Sequence, residues 1–120
     1  MTKRSVYRKI APYITKDGSQ IRELLHPDQH AIRQQSLAEA IVPPGATTLL
    51  HRHAVTEEIY HVTQGSGEMT LADEKFAIAV GDSIAIAPGT PHCVRNTGST
   101  ALHILCCCAP AYSHADTELL

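Results

Sequence analysis

From Ile21 to Cys107 the chain runs as short apolar–polar alternations, each cut off by Gly, Pro, Asp or Asn. A period of two marks strands that bury one face, and punctuation this frequent leaves little length for helices. The runs are Ile21–Leu25, Ser36–Val42, Thr47–His53, Glu58–Thr63, Gly67–Leu71, Lys75–Val80, Ser83–Ile86, His92–Asn96 and Leu102–Cys107. Asp17-Gly18, Pro43-Pro44-Gly45 and Gly81-Asp82 punctuate the series, while Ala72-Asp73-Glu74 and Thr97-Gly98-Ser99 read as hairpin turns. Only the stretch from Pro27 to Gln35 has room for a turn or two of helix. About nine short strands at near-regular spacing predict an all-β fold, an antiparallel sandwich or barrel. With no internal repeat or low-complexity linker, the chain reads as one domain: residues 1–35 as an N-terminal arm with edge strands, 36–109 as the barrel and 110–120 as a C-terminal tail.

Hydrophobic residues make up 43% of the 120, enough for one modest core, and aliphatics must fill it because Trp is absent and Phe76 is the one Phe. A formal charge of −2 gives no broad basic footprint for nucleic acid, and Lys3, Arg4, Arg8 and Lys9 read as a solvated terminus. The first residues lack the apolar run of a signal peptide, and no stretch approaches the roughly 18 apolar residues of a membrane helix. A cytoplasmic location is the expectation. Cys93, Cys106, Cys107 and Cys108 make neither a disulfide framework nor paired CxxC knuckles. They read as reduced, buried side chains, with Cys106 and Cys108 sharing one strand face that could also line a pocket.

The chemistry concentrates in HRHAVTEEIYHVTQG, His51 to Gly65. On a strand His51 and His53 project to one face about 6.5–7 Å apart, and neutral imidazole is the commonest side-chain ligand for divalent transition metals. The next alternating segment puts Glu58, Tyr60 and Val62 on one face and Glu57, Ile59, His61 and Thr63 on the other. A carboxylate pointing inward there would be costly to bury unpaired, and a metal ion removes that cost. His92 follows the rigid Pro88-Gly89-Thr90-Pro91 turn as a new strand begins. Together these residues form a set of three histidines and one carboxylate, which leaves positions of an octahedral ion open.

This pattern resembles the cupins. Their first motif, G-x5-H-x-H-x3,4-E-x6-G, is met by Gly45, His51, His53, Glu58 and Gly65. Their second, G-x5-P-x-G-x2-H-x3-N, is met by Gly81, Gly89, His92 and Asn96, with Ala87 where proline is usual and Pro88 one later. The resemblance implies a double-stranded β-helix, or jelly-roll barrel, binding a metal through His51, His53, Glu58 and His92. Counting three residues from His53 selects Glu57 as the carboxylate, and counting back from Gly65 selects Glu58. Glu58 is preferred, because strand register is set from the glycine side and a one-residue slip reverses every face.

Iron or manganese suits such an open site, with zinc or nickel also admitted. The expected activity is that of a metal-dependent enzyme on a small molecule, dioxygenase-like or of the sugar or keto-acid isomerase kind. A non-catalytic small-ligand module is the alternative, and a metal-free barrel with acid–base histidines fits less well. His26, His30, His61, His103 and His114 lack motif positions and read as structural or surface residues. Tyr60 shares the Glu58 face, as a cavity residue or a packed aromatic. Open strand edges predict a homodimer.

Overall fold

A computed structural model describes residues 1–120. It is nearly all β: a single 3-10 turn, Tyr7–Lys9, precedes eleven strands. They are β1 (Tyr13–Ile14), β2 (Gln20–Leu25), β3 (Ser36–Val42), β4 (His51–His53), β5 (Glu57–Gln64), β6 (Ser66–Leu71), β7 (Glu74–Ala79), β8 (Ser83–Ile86), β9 (His92–Asn96), β10 (Leu102–Ala109) and β11 (Thr117–Leu119). They form two antiparallel sheets, one ordered β1-β2-β3-β10-β5-β8 and the other β11-β4-β9-β6-β7. No helix is long and apolar enough to cross a membrane.

The alternation does what the pattern demands. Strand β3 buries every second residue, Ser36, Ala38, Ala40 and Val42, and β10 buries Leu102, Ile104, Cys106 and Cys108. Their inward faces meet Val62, Met69, Ile78, Ile84, Ile86 and Val94 in an aliphatic core between the sheets. Burying aliphatic side chains of this size contributes about 1.5–3 kcal/mol each, which drives the two sheets together.

Asn96, at the end of the second motif, is a structural clamp. Its amide donates to the Val42 and Thr100 carbonyls at 2.9 and 2.8 Å, and its side-chain oxygen accepts from Gly98 N–H at 2.9 Å. The β9–β10 turn is thereby tied to β3. Chain reversal between β6 and β7 takes two residues, with Ala72 at a positive φ of 53°.

Three local expectations are corrected. The stretch after Pro27 forms one hydrogen-bonded turn, His30 N–H to the His26 carbonyl at 2.8 Å, and no helix follows. The bridge between Thr2 and His30 draws the chain into extended pairing at that point. The strand expected over Thr47–His53 is interrupted: Thr47 and Thr48 touch β9 through one isolated bridge, Leu49 N–H turns away to Asp17, and the regular strand is His51–His53. Two short strands, β1 and β11, were not expected; β1 extends one sheet beside β2, and β11 lies beside β4.

Candidate metal centre

The two histidines of β4 flank Arg52, so pleating turns both rings inward and Arg52 outward. His51 is the register partner of His92 on β9, which sets a third imidazole beside the pair. Ring centroids lie 4.2 Å apart for His51 and His92, 5.2 Å for His51 and His53, and 5.4 Å for His53 and His92. One ring nitrogen from each of the three lies within 4.8 Å of the others, close enough to share one ion.

Glu58 comes from the opposite sheet. It is the second residue of β5, 4% exposed, with Glu57 before it facing solvent. Its Oε1 sits 3.2 Å from His53 Nε2 and 3.5 Å from His92 Nε2. The structure therefore brings His51, His53, His92 and Glu58 together between the sheets, and leaves Glu57 outside.

Each imidazole is oriented from behind. The Nδ1 of His51 lies 2.8 Å from the Leu49 carbonyl and that of His92 lies 2.9 Å from the Thr90 carbonyl. His53 Nδ1 lies 2.9 Å from Thr117 Oγ1, whose hydroxyl donates to the Ser113 carbonyl at 2.9 Å. All three Nδ1–H groups thus donate outward, which leaves Nε2 as the free, basic nitrogen on the inner side.

Burial, reinforced by His92, lowers the His51 pKa below the ordinary histidine value and favours the neutral ring. Burial would push the Glu58 carboxyl up, but hydrogen bonds and charge from His53 and His92 with protons on their inner nitrogens more than offset this and hold it at about 2; a cation in place of those protons would act in the same direction. On the β10 neighbour of Glu58, the Cys108 thiol donates to Glu58 Oε2 at 3.3 Å. Burial, followed by the Glu58 charge, raises the Cys108 thiol and keeps it protonated for that bond.

The residues fit a cation on a further ground. Glu58 Oε1 and His92 Nε2 are both buried without a hydrogen-bond partner. Orphaned buried polar atoms are rare, and a positive ion between them would satisfy both.

The centre borders a cavity of about 40 Å³, also lined by Asp17, Tyr60, Cys106, Cys108 and Tyr112. Tyr60 is buried and reaches it, its ring 5.8 Å from His92, and Cys106 and Cys108 share its wall. The remaining histidines stand elsewhere: His26 bonds the Tyr112 carbonyl, His30 takes the His26 N–H, His61 pairs with Ser83, His103 with Glu39 and His114 with Tyr112.

Asp17 and Thr117 were missed as site residues. Asp17 reads in sequence only as a turn former beside Gly18, and Thr117 as part of a polar tail. The prolines and polar residues of the tail suggest a segment laid over the barrel mouth, but nothing local singles out Asp17 or Thr117 as reaching the β4 histidines.

Comparison with known proteins agrees with this fold. The family model described as "Cupin domain" matches residues 38–108. An uncharacterized protein of Methanocaldococcus jannaschii, MJ1618, is 60% identical over 114 residues, covering 95% of this chain and 91% of that protein. A crystal structure from Thermotoga maritima, described as a predicted oxalate decarboxylase, superposes with a TM-score of 0.76 at 27% identity, covering 92% of this chain and 99% of that one. A Streptomyces Pac13 structure with uridine shares the fold at a TM-score of 0.79 and 16% identity, covering 100% of this chain and 91% of that one. With its two-sheet barrel, a family model matched over more than half its length and a relative this similar, the chain belongs to the cupin family.

Proposed function

We propose that His51, His53, His92 and Glu58 hold one divalent transition metal, and that the chain is a metal-dependent enzyme acting on a small molecule. The observation that carries this reading is the pair of orphaned atoms, Glu58 Oε1 and His92 Nε2, facing each other among three inward imidazoles. Nitrogen donors with one carboxylate suit iron or manganese, and admit zinc or nickel. A bound ion would supply Lewis acidity, or redox chemistry if it is iron or manganese. The protein's own part is to orient the ligands through Leu49, Thr90, Thr117 and Cys108, and to seat the ligand in a buried cavity beside them.

A dioxygenase-like or isomerase-like reaction is our reading, and a non-catalytic ligand-binding module the alternative; turnover separates them. The Thermotoga and Pac13 relatives, a predicted oxalate decarboxylase and a nucleoside dehydratase, lend support to small-molecule chemistry in this barrel. We also place the chain in the cytoplasm as a homodimer, which a solution mass decides.

Metal analysis of protein purified without added metal tests the centre. About one divalent ion per chain is expected, and a content near zero that reconstitution does not raise would overturn it.

Cys108 gives a finer check. Its thiol fixes Glu58 by bonding the oxygen that faces away from His53 and His92. Changing Cys108→Ala removes that donor and should weaken metal binding by about 10-fold, whereas Cys108→Ser retains a donor and should lose less. Competition with a chelating dye reads both affinities; equal values in the two variants would argue against this role.

A further inference from the structure

We propose that Asp17 faces the ligand, and that it selects a small molecule presenting a neutral hydrogen-bond donor, such as a hydroxyl or amide, over a carboxylate. The inference deepens the small-molecule reading of the same cavity and rests on it.

Asp17 sits on the turn between β1 and β2 and is 9% exposed. Its carbonyl accepts Leu49 N–H at 2.7 Å, which pins the turn two residues before His51. One carboxylate oxygen, Oδ1, accepts both the Ser19 N–H at 2.9 Å and the Ser19 hydroxyl at 2.6 Å, so the side chain is held in one orientation. The other oxygen, Oδ2, receives no protein donor and lies in the cavity wall 3.8 Å from His51 Nε2.

With no protein donor on it, this oxygen is free to accept a hydrogen bond from a donor on a molecule bound in the cavity. A carboxylate placed there would face both Asp17 and Glu58. No Lys or Arg lines the cavity; a divalent ion on the histidines would offset the Glu58 charge, so the Asp17 charge decides how much net attraction an anion meets. Size adds a second limit: about 40 Å³ admits the equivalent of only about three waters, so the recognised head is compact.

Acetate and acetamide are equal in heavy atoms, carry no hydroxyl and differ in the anion and the amide donor, so they probe the choice directly. Zinc-loaded wild type and Asp17→Asn are titrated with both by ligand-observed NMR. Asn keeps an oxygen for Ser19 while removing the charge, and Asp17→Ser is a second uncharged variant should the first fold poorly. The preference should move toward acetate by about tenfold or more in the variants.

An unchanged preference with full metal content overturns the proposal, as does binding of neither probe to any of the proteins. Loss of metal from Asp17→Asn also overturns it, by making Asp17 an ion ligand. Metal content of the wild type, measured first, exposes a failure of the metal reading separately. In that event the same titrations on metal-free protein decide, because Asp17 lines the cavity either way.

Discussion

Replacing His92 by Ala should lower metal affinity by more than about 100-fold while leaving the strands intact. Loss of a residue that only supports a ligand already costs about 10–100-fold, and His92 is proposed as a ligand itself. It is fully buried, stands opposite His51 on the neighbouring strand and points its free Nε2 at Glu58. The same loss is expected for His51→Ala and Glu58→Gln. Two controls should keep their metal: Arg52→Ala, on the outward side of β4, and Glu57→Gln, exposed at the start of β5. Metal content by mass spectrometry and far-UV circular dichroism on the same samples read the outcome. Full occupancy in both histidine variants would remove the ligand assignment.

Gly65→Ala should destabilise the fold by about 3 kcal/mol, combining a disfavoured backbone with a steric clash. Gly65 is the single residue between β5 in one sheet and β6 in the other, so it alone carries the chain across. It does so at a φ of +84°, where side-chain-bearing residues are strained. A Cβ added there would stand 2.9 Å from the Ala101 carbonyl oxygen and 3.1 Å from Leu102 Cα. Both are backbone atoms at the start of β10, which cannot swing aside. Gly45, the other glycine of the first motif, has a similar φ of +77° but open space around it. Gly45→Ala should therefore cost only about 1 kcal/mol. Urea unfolding measures both; equal losses would mean that the backbone angle matters and the contact does not.

That glycine also explains why the inward-facing glutamate could be picked out from sequence. The β5 face pattern runs back from Gly65 with a period of two, and it places Glu58 inward with Tyr60 and Val62. Counting forward from His53 is less secure, because residues 54–56 form no strand and carry no face pattern. The long alternating strands were legible for the same reason. What stayed hidden depends on contacts between distant segments. β1 and β11 have two and three residues, too short to show a period, and each gains its form from the strand beside it. Asp17 has the chemistry of an ordinary turn residue, and only the closing of β1–β2 over residues 49–51 turns it toward the cavity. Cys108 was readable as sharing a face with Cys106, but its bond to Glu58 follows from the β5–β10 register.

The contact between His53 and Thr117 spans 64 positions of the chain. On a ribosome the imidazole is therefore made long before the hydroxyl that will hold it, and for that interval the ring can exchange its proton between both nitrogens. On the proposed metal reading, ion capture in its final form would await the arrival of the later strand, which would make maturation of the centre a late event in biosynthesis.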